Sequence, residues 1–210
     1  MGSVLFAILV ALNAFGTDEY VLERESKNAL YVHPVMPIVG AVADYASMYY
    51  FTYERELDVD KSINIEPVYI GGHIAGQEYD LYTEPDIKTS GLGTAISLKL
   101  YPHSDDAAGF YLGPKLQVLT VSYEMPAYVR GQPFFNIQVP GKKARETDFD
   151  ALMMAGYRAK WKYFTFYLDL GIGIGTDNIS GDETVFDQTY LDESKQALRI
   201  DGDLGIGFPF

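Results

Sequence analysis

Apolar and polar residues alternate with a period of two along most of the chain after Lys27, most regularly from Phe164 to Gly175. There Phe164, Phe166, Leu168, Leu170, Ile172 and Ile174 share one face, while Thr165, Tyr167, Asp169, Gly171, Gly173 and Gly175 share the other. A period of two is the signature of a strand with unlike faces. The last segment repeats it: Leu198, Ile200, Leu204, Ile206, Phe208 and Phe210 oppose Arg199, Asp201, Asp203, Gly205, Gly207 and Pro209. Shorter stretches follow the same rule at Tyr49–Leu57, Ile63–Tyr69, Thr94–Tyr101, Phe110–Val118 and Met154–Trp161. A first strand is expected over Asn28 to Val42, broken early because Pro34 and Pro37 cannot donate to a ladder.

The pattern predicts an all-β fold of eight antiparallel strands. The connections alternate in length. Short turns are expected around Asp58–Lys61, Pro102–Asp106 and Lys160–Tyr163, and long ones over Ile74–Ser90, Met125–Asp150 and Thr176–Glu193. The first hairpin, near Asp44–Ser47, is short on the long side. Alternating short and long connections mark an up-and-down transmembrane β-barrel with its short turns in the periplasm.

Alternation does not say which face is inside. A lipocalin-like barrel turns its apolar face inward; an outer-membrane barrel turns it outward. The polar face here is rich in Gly, Ser and Thr, which suits the narrow interior of eight strands. It also carries charges of both signs: Glu54, Glu66, Lys99, Lys115, Arg158, Asp169, Arg199, Asp201 and Asp203. Inside a barrel these can pair across strands, with Arg158 or Arg199 expected near Asp169. The chain also ends on an aromatic residue in a strand pattern, LGIGFPF.

That last segment resembles the C-terminal assembly signal of outer-membrane barrels, carried by Leu204, Ile206, Phe208 and Phe210. KNALYVHPVMPIVG, YYFTYEREL, GFYLGPKLQ, FYLDLGIGIG and DGDLGIGF extend the likeness over nearly all of the chain after residue 27. Together they resemble a family of small outer-membrane barrels classed only as a domain of unknown function. Pro209 departs from the usual residue at its place. The resemblance implies an eight-stranded barrel handled by the outer-membrane assembly machinery, and it brings no catalytic residues.

The N-terminus fits export. Val4 to Leu12 is continuously apolar and Ala14-Phe15-Gly16 places small residues at the cleavage positions, so residues 1–16 read as a signal peptide. The run is well short of the ~20 residues of a spanning helix. Residues 17–27 read as a short periplasmic segment, and 28–210 as the barrel.

Composition narrows the partners. The 210 residues carry 16 Lys and Arg against 29 Asp and Glu, a net charge of −13, which opposes a nucleic-acid partner. With no Cys there is no disulfide, thiolate site or lipoprotein anchor. The 17 Tyr and 12 Phe suit a membrane interface. Expected partners are outer-membrane lipid, lipopolysaccharide and the assembly machinery.

Candidate chemistry is sparse. Gly171-x-Gly173-x-Gly175 does not open a helix, so it is not a dinucleotide site. His73 is expected near the outer end of the third strand, His103 in a periplasmic turn and His33 within the first strand. None carries a hydrolase signature. The loop after Thr176 is acidic, with Asp177, Asp182, Glu183, Asp187, Asp192 and Glu193, but fits no calcium-loop spacing. Another expected loop holds Lys142, Lys143 and Arg145, with Tyr128, Phe134 and Phe135 as candidate partner contacts. No cofactor, metal or enzymatic activity is expected. The leading reading is a structural or surface-interaction barrel without a large pore. The alternatives are a periplasmic lipocalin-like binding barrel and an outer-membrane lipid-modifying enzyme.

Overall fold

The structure is a computed structural model that describes residues 27–34, 47–76, 78–79, 82–103, 106–131, 136–161, 163–182 and 197–210. The expected signal peptide, the segment up to residue 26 and most of the acidic loop, 183–196, lie outside the described residues.

Eight strands close into a barrel: β1 (Asn28–Val32), β2 (Ser47–Asp58), β3 (Lys61–Ile74), β6 (Ile87–Leu100), β7 (Gly109–Met125), β10 (Lys142–Lys160), β11 (Thr165–Gly181) and β12 (Ala197–Pro209). Two small hairpins stand between them, β4 (Glu78–Tyr79) with β5 (Tyr82–Thr83), and β8 (Tyr128–Gly131) with β9 (Asn136–Val139). Around the ring the order is β1-β12-β11-β10-β7-β6-β3-β2, and β2 returns to β1, every pair antiparallel. Each barrel strand thus lies beside its neighbours in the chain, an up-and-down topology that removes free sheet edges.

The short turns fall where expected. Asp58 and Lys61 pair across Val59-Asp60, and the Val59 amide donates to Asp58 Oδ1 at 2.9 Å. The β10–β11 turn closes with Trp161 N–H donating to Phe164 O at 2.9 Å. On the opposite side the strands run further than the hydrophobic pattern indicates. Lys142, Lys143 and Arg145 belong to β10 and Asp177 to β11, not to loops, and Tyr128 opens β8. The reason is that outward positions turn polar there while the backbone ladder continues, Ala144 facing Gly181 and Lys142 facing Met125. β1 is shorter than expected: it ends at Val32, and His33 lies just beyond it.

Side chains sort by parity. Outward positions hold exposed apolar residues, among them Leu92, Ile96, Phe110, Leu116, Leu170 and Ile200. Inward positions hold buried polar and charged ones. This is the reverse of a water-soluble protein. One inward cluster is apolar: Val68, Ile70, Leu119 and Val121, with Met48, Tyr50 and Tyr123 against it, on the half of the barrel nearer the long connections.

The seam between β1 and β12 joins Ala29 to Pro209 and Val32 to Ile206. Phe210 N–H donates to Asn28 O at 2.9 Å. Neighbouring amides in a strand point to opposite sides, so residue 209 is directed toward β11, whose pairing has already ended at Thr165 and Gly207. Pro209 therefore removes no ladder bond.

Inward rings need inward gaps. A Cβ on Gly156 would lie 2.5 Å from Tyr111 Cζ and 2.6 Å from Asp169 Cβ. Gly156→Val should therefore overpack the interior and cost roughly 1–3 kcal/mol. Reversible denaturant unfolding in vesicles should show that loss, with outward-facing Ala155→Val close to wild type.

Candidate functional site: the charged interior and the outer rim

The charges expected inside form three tiers. The lowest lies near the short turns. Arg158, 2% exposed, reaches Glu54 Oε1 at 2.8 Å and Glu56 Oε1 at 3.0 Å, and donates to Ala107 O at 3.0 Å. Lys160 also pairs with Glu56 and donates to Asp106 O at 2.7 Å. Ser62 and Tyr101 donate to Glu54 at 2.5 and 3.3 Å. A guanidinium presents several donors in a fixed fork, so one Arg can bind two carboxylates from a single strand. Glu56, Lys160 and Ala107 complete this tier but were not singled out by composition.

The middle tier is aromatic and polar. Lys99 Nζ lies 3.8 Å from the Tyr167 ring centre and 4.6 Å from that of Tyr111, a cation on aromatic faces. With its amide oxygen turned inward, Asn64 accepts from Lys99 at 3.0 Å. Asp169 accepts from Tyr111 Oη at 2.7 Å. It has no ion pair with Arg158 or Arg199, the basic groups expected near it; the cations that act on it are Lys99 and Lys115. Asp169 stands level with Gly156 and Asp203, whereas Arg158 stands level with Tyr167 and Arg199 with Gly173, and each arginine reaches away from it. Lys115 bridges Glu66 at 2.9 Å and Asp201 at 3.0 Å.

Also in this tier, His33 Nδ1 lies 2.9 Å from Asp203 Oδ1 and its Nε2 2.8 Å from Thr52 Oγ1. Tyr50 and Tyr167 both donate to Asp203 at 2.6 Å. Hydroxyl, imidazole and carboxylate thus stand in the order of a nucleophile relay. β2, β12 and the residue just beyond β1 supply them, so no local motif marks them in the sequence. Thr52 has 0% exposure and Tyr167 covers the pair. A relay needs space about 3 Å from its hydroxyl for a substrate carbonyl; here rings occupy it. The cluster instead ties the end of β1 to β2 and β12. His73 is exposed, 4.0 Å from Asp86, and His103 is exposed in a turn. Neither joins the His33 cluster.

The third tier is at the long-connection end. Arg199 pairs with Asp150 at 3.1 Å and with Asp177. Tyr123 Oη donates to Glu146 at 2.9 Å. Carboxylate oxygens of Glu146, Asp148 and Asp177 lie within 4.8 Å of one another, an arrangement compatible with a hard cation. On the outside of the same strands a second group gathers. Lys88, Ser90, Ser122, Lys143, Arg145 and Ser180 line a shallow depression of about 480 Å³.

The lowest tier gives the clearest test. Arg158→Met leaves Glu54 buried without its cation and should cost roughly 3–5 kcal/mol. Glu54→Gln in the same chain should restore part of the loss, as read by urea unfolding in vesicles. Full additivity of the two changes would contradict the pairing.

No protein-family model matches the chain, and no curated protein matches it. Among solved structures it is similar to CarO of Acinetobacter baumannii, at 12% identity over 89% of this chain and 98% of that one, with a TM-score of 0.39. A likeness that distant carries no functional weight, and the family suggested by the sequence motifs is not established by it.

Proposed function

We propose that the chain is an outer-membrane barrel with a structural or surface-interaction role, its short turns in the periplasm and its long connections outside. The observation that carries this reading is the inverted polarity: an outward apolar belt around a buried, ion-paired interior. Water gives no reason to expose Ile172, Ile174, Leu198 and Ile200 on adjoining strands; hydrocarbon does. Aromatic residues stand toward both ends of the belt. Trp161 stacks on Phe164 with centres 4.6 Å apart on the short-turn side, and Tyr49 neighbours Tyr69 at 6.3 Å on the other.

The apolar residues 1–16 supply an export signal in this reading. Leu204, Ile206, Phe208 and Phe210, on the outward face at the barrel seam, supply the assembly signal. A lipocalin-like role is disfavoured because Arg158, Lys99, Lys115 and their carboxylates occupy the space an apolar ligand would need. The same filling opposes a porin-sized channel.

Arginine scanning along β11 tests the membrane reading. Ile172→Arg, in the middle of the belt, should cost about 2–4 kcal/mol, and Asn178→Arg, beyond it, about 0–1 kcal/mol. Both positions are exposed, so in a water-soluble barrel the two substitutions would cost the same small amount. Equal costs, or porin-sized steps from pure protein in planar bilayers, would sink the proposal.

A further inference from the structure

The strands on one side of the barrel are longer than a membrane requires. A spanning strand needs about 9–11 residues, whereas β7 has 17, β10 19 and β11 17. Outward apolar positions end at Phe149 on β10 and Ile174 on β11. Beyond them the sheet continues in register with outward side chains that are polar except for Leu92. Leu92, Thr120, Thr147 and Asn178 form one row across β6, β7, β10 and β11. Ser90, Ser122, Arg145 and Ser180 form the next, and Lys88, Glu124 and Lys143 the last.

Among the described residues that line the depression, three cations thus stand against one carboxylate, with Asp182 at its edge donating its amide to the Lys143 carbonyl, on a chain whose net charge is −13. Lys143 pairs with Glu124 at 2.8 Å. Neither Lys88 nor Arg145 has an ion pair with a described residue, and both are exposed. Ladder spacing places Lys88 and Lys143 about 10 Å apart, with Arg145 roughly 7 Å from Lys143. Those gaps are within reach of two converging long side chains, and the serine hydroxyls lie on the floor between them. Such a set of cationic and hydroxyl donors matches a phosphate group.

We infer that this outward patch binds the phosphate of a phosphorylated glycolipid lying in the outer leaflet with its acyl chains against the apolar belt. The inference rests on the membrane reading above. The patch faces sideways, one row above Leu92 and two rows above Phe149, near the height where headgroup phosphates meet the hydrocarbon. A free anion would have no use for the apolar surface beneath.

The test uses the full mature chain, refolded in detergent, with a diphosphorylated acyl-disaccharide lipid as probe and native mass spectrometry as readout. Lys88→Gln/Lys143→Gln/Arg145→Gln should weaken binding by about tenfold or more, since charge-assisted contacts to phosphate are lost. Arg55→Gln/Lys61→Gln, exposed at the opposite end, should bind as wild type does. The same lipid without phosphates should bind weakly to all three proteins, and millimolar inorganic phosphate should not displace the probe. Equal binding by the triple variant, an equal loss in the control variant, tight binding of the dephosphorylated lipid, or displacement by inorganic phosphate would each overturn the site. Unheated and heated gel mobility is compared for every variant. Proteins that insert but bind without regard to phosphate refute this site alone. A chain that never forms a detergent-resistant barrel refutes the membrane reading with it.

Discussion

A ring of strands with an apolar outside must satisfy every polar group it encloses from within. Arg158 shows the constraint most plainly. Its guanidinium is sealed from water, and Glu54, Glu56 and the Ala107 carbonyl compensate it, with the Tyr31 ring 5.9 Å away. Ala107 lies in the turn leading into β7, beside β10, but the two carboxylates come from β2, on the opposite side of the ring. The pairing therefore exists only once the barrel is closed. Charges inside a narrow barrel thus do more than fill space: Arg158 couples strands that share no ladder, so closure and neutralisation become one event. Lys115, held by Glu66 of β3 and Asp201 of β12, does the same one tier higher.

The seam is where such cross-links matter most. β1 has only five residues and therefore few ladder bonds to either neighbour. His33 continues its line into the interior, where it binds Asp203 of β12 and Thr52 of β2, the two strands that flank β1. Tyr31 adds an edge-on contact to Tyr167, with ring centres 4.9 Å apart. An arrangement with the outline of a catalytic relay thus serves as a clasp. Burial favours the clasp: an acyl-transfer site needs room beside its hydroxyl, and among the described residues the Tyr167 hydroxyl stands 3.5 Å from Thr52 Oγ1.

Much of this was legible from period two. Inward and outward parity on β2, β3, β6, β7, β10, β11 and β12 can be read residue by residue, because one face of each strand meets a uniform medium. The strand ends were not legible. Thr147, Arg145 and Lys143 continue the outward face of β10 without any apolar contrast, so the pattern stops while the hydrogen bonds go on. Pairing inside was not legible either. It depends on the stagger between strands and on the direction in which a long side chain leans, and neither follows from composition. Asp169 meets Tyr111, not an arginine, because Gly156 beside it leaves room for the Tyr111 ring.

The overhanging sheet raises a question of cost. Ordering a residue costs about 1–2 kcal/mol of backbone entropy, and the outward side of the overhang buries little apolar surface in return. Inside, the Arg199 pairs and the Val68–Val121 cluster offset part of that cost. A flexible loop could carry the same lysines and arginine more cheaply, but it would not hold them at fixed spacing. A ladder does: its pitch sets neighbours about 5 Å apart across strands and about 7 Å apart along them. Preorganised donors lose less entropy when a ligand arrives. The overhang is therefore better suited to holding donors for a compact, highly charged group than to the adaptable contacts of a loop, and under the proposed membrane reading it would hold them at the membrane surface.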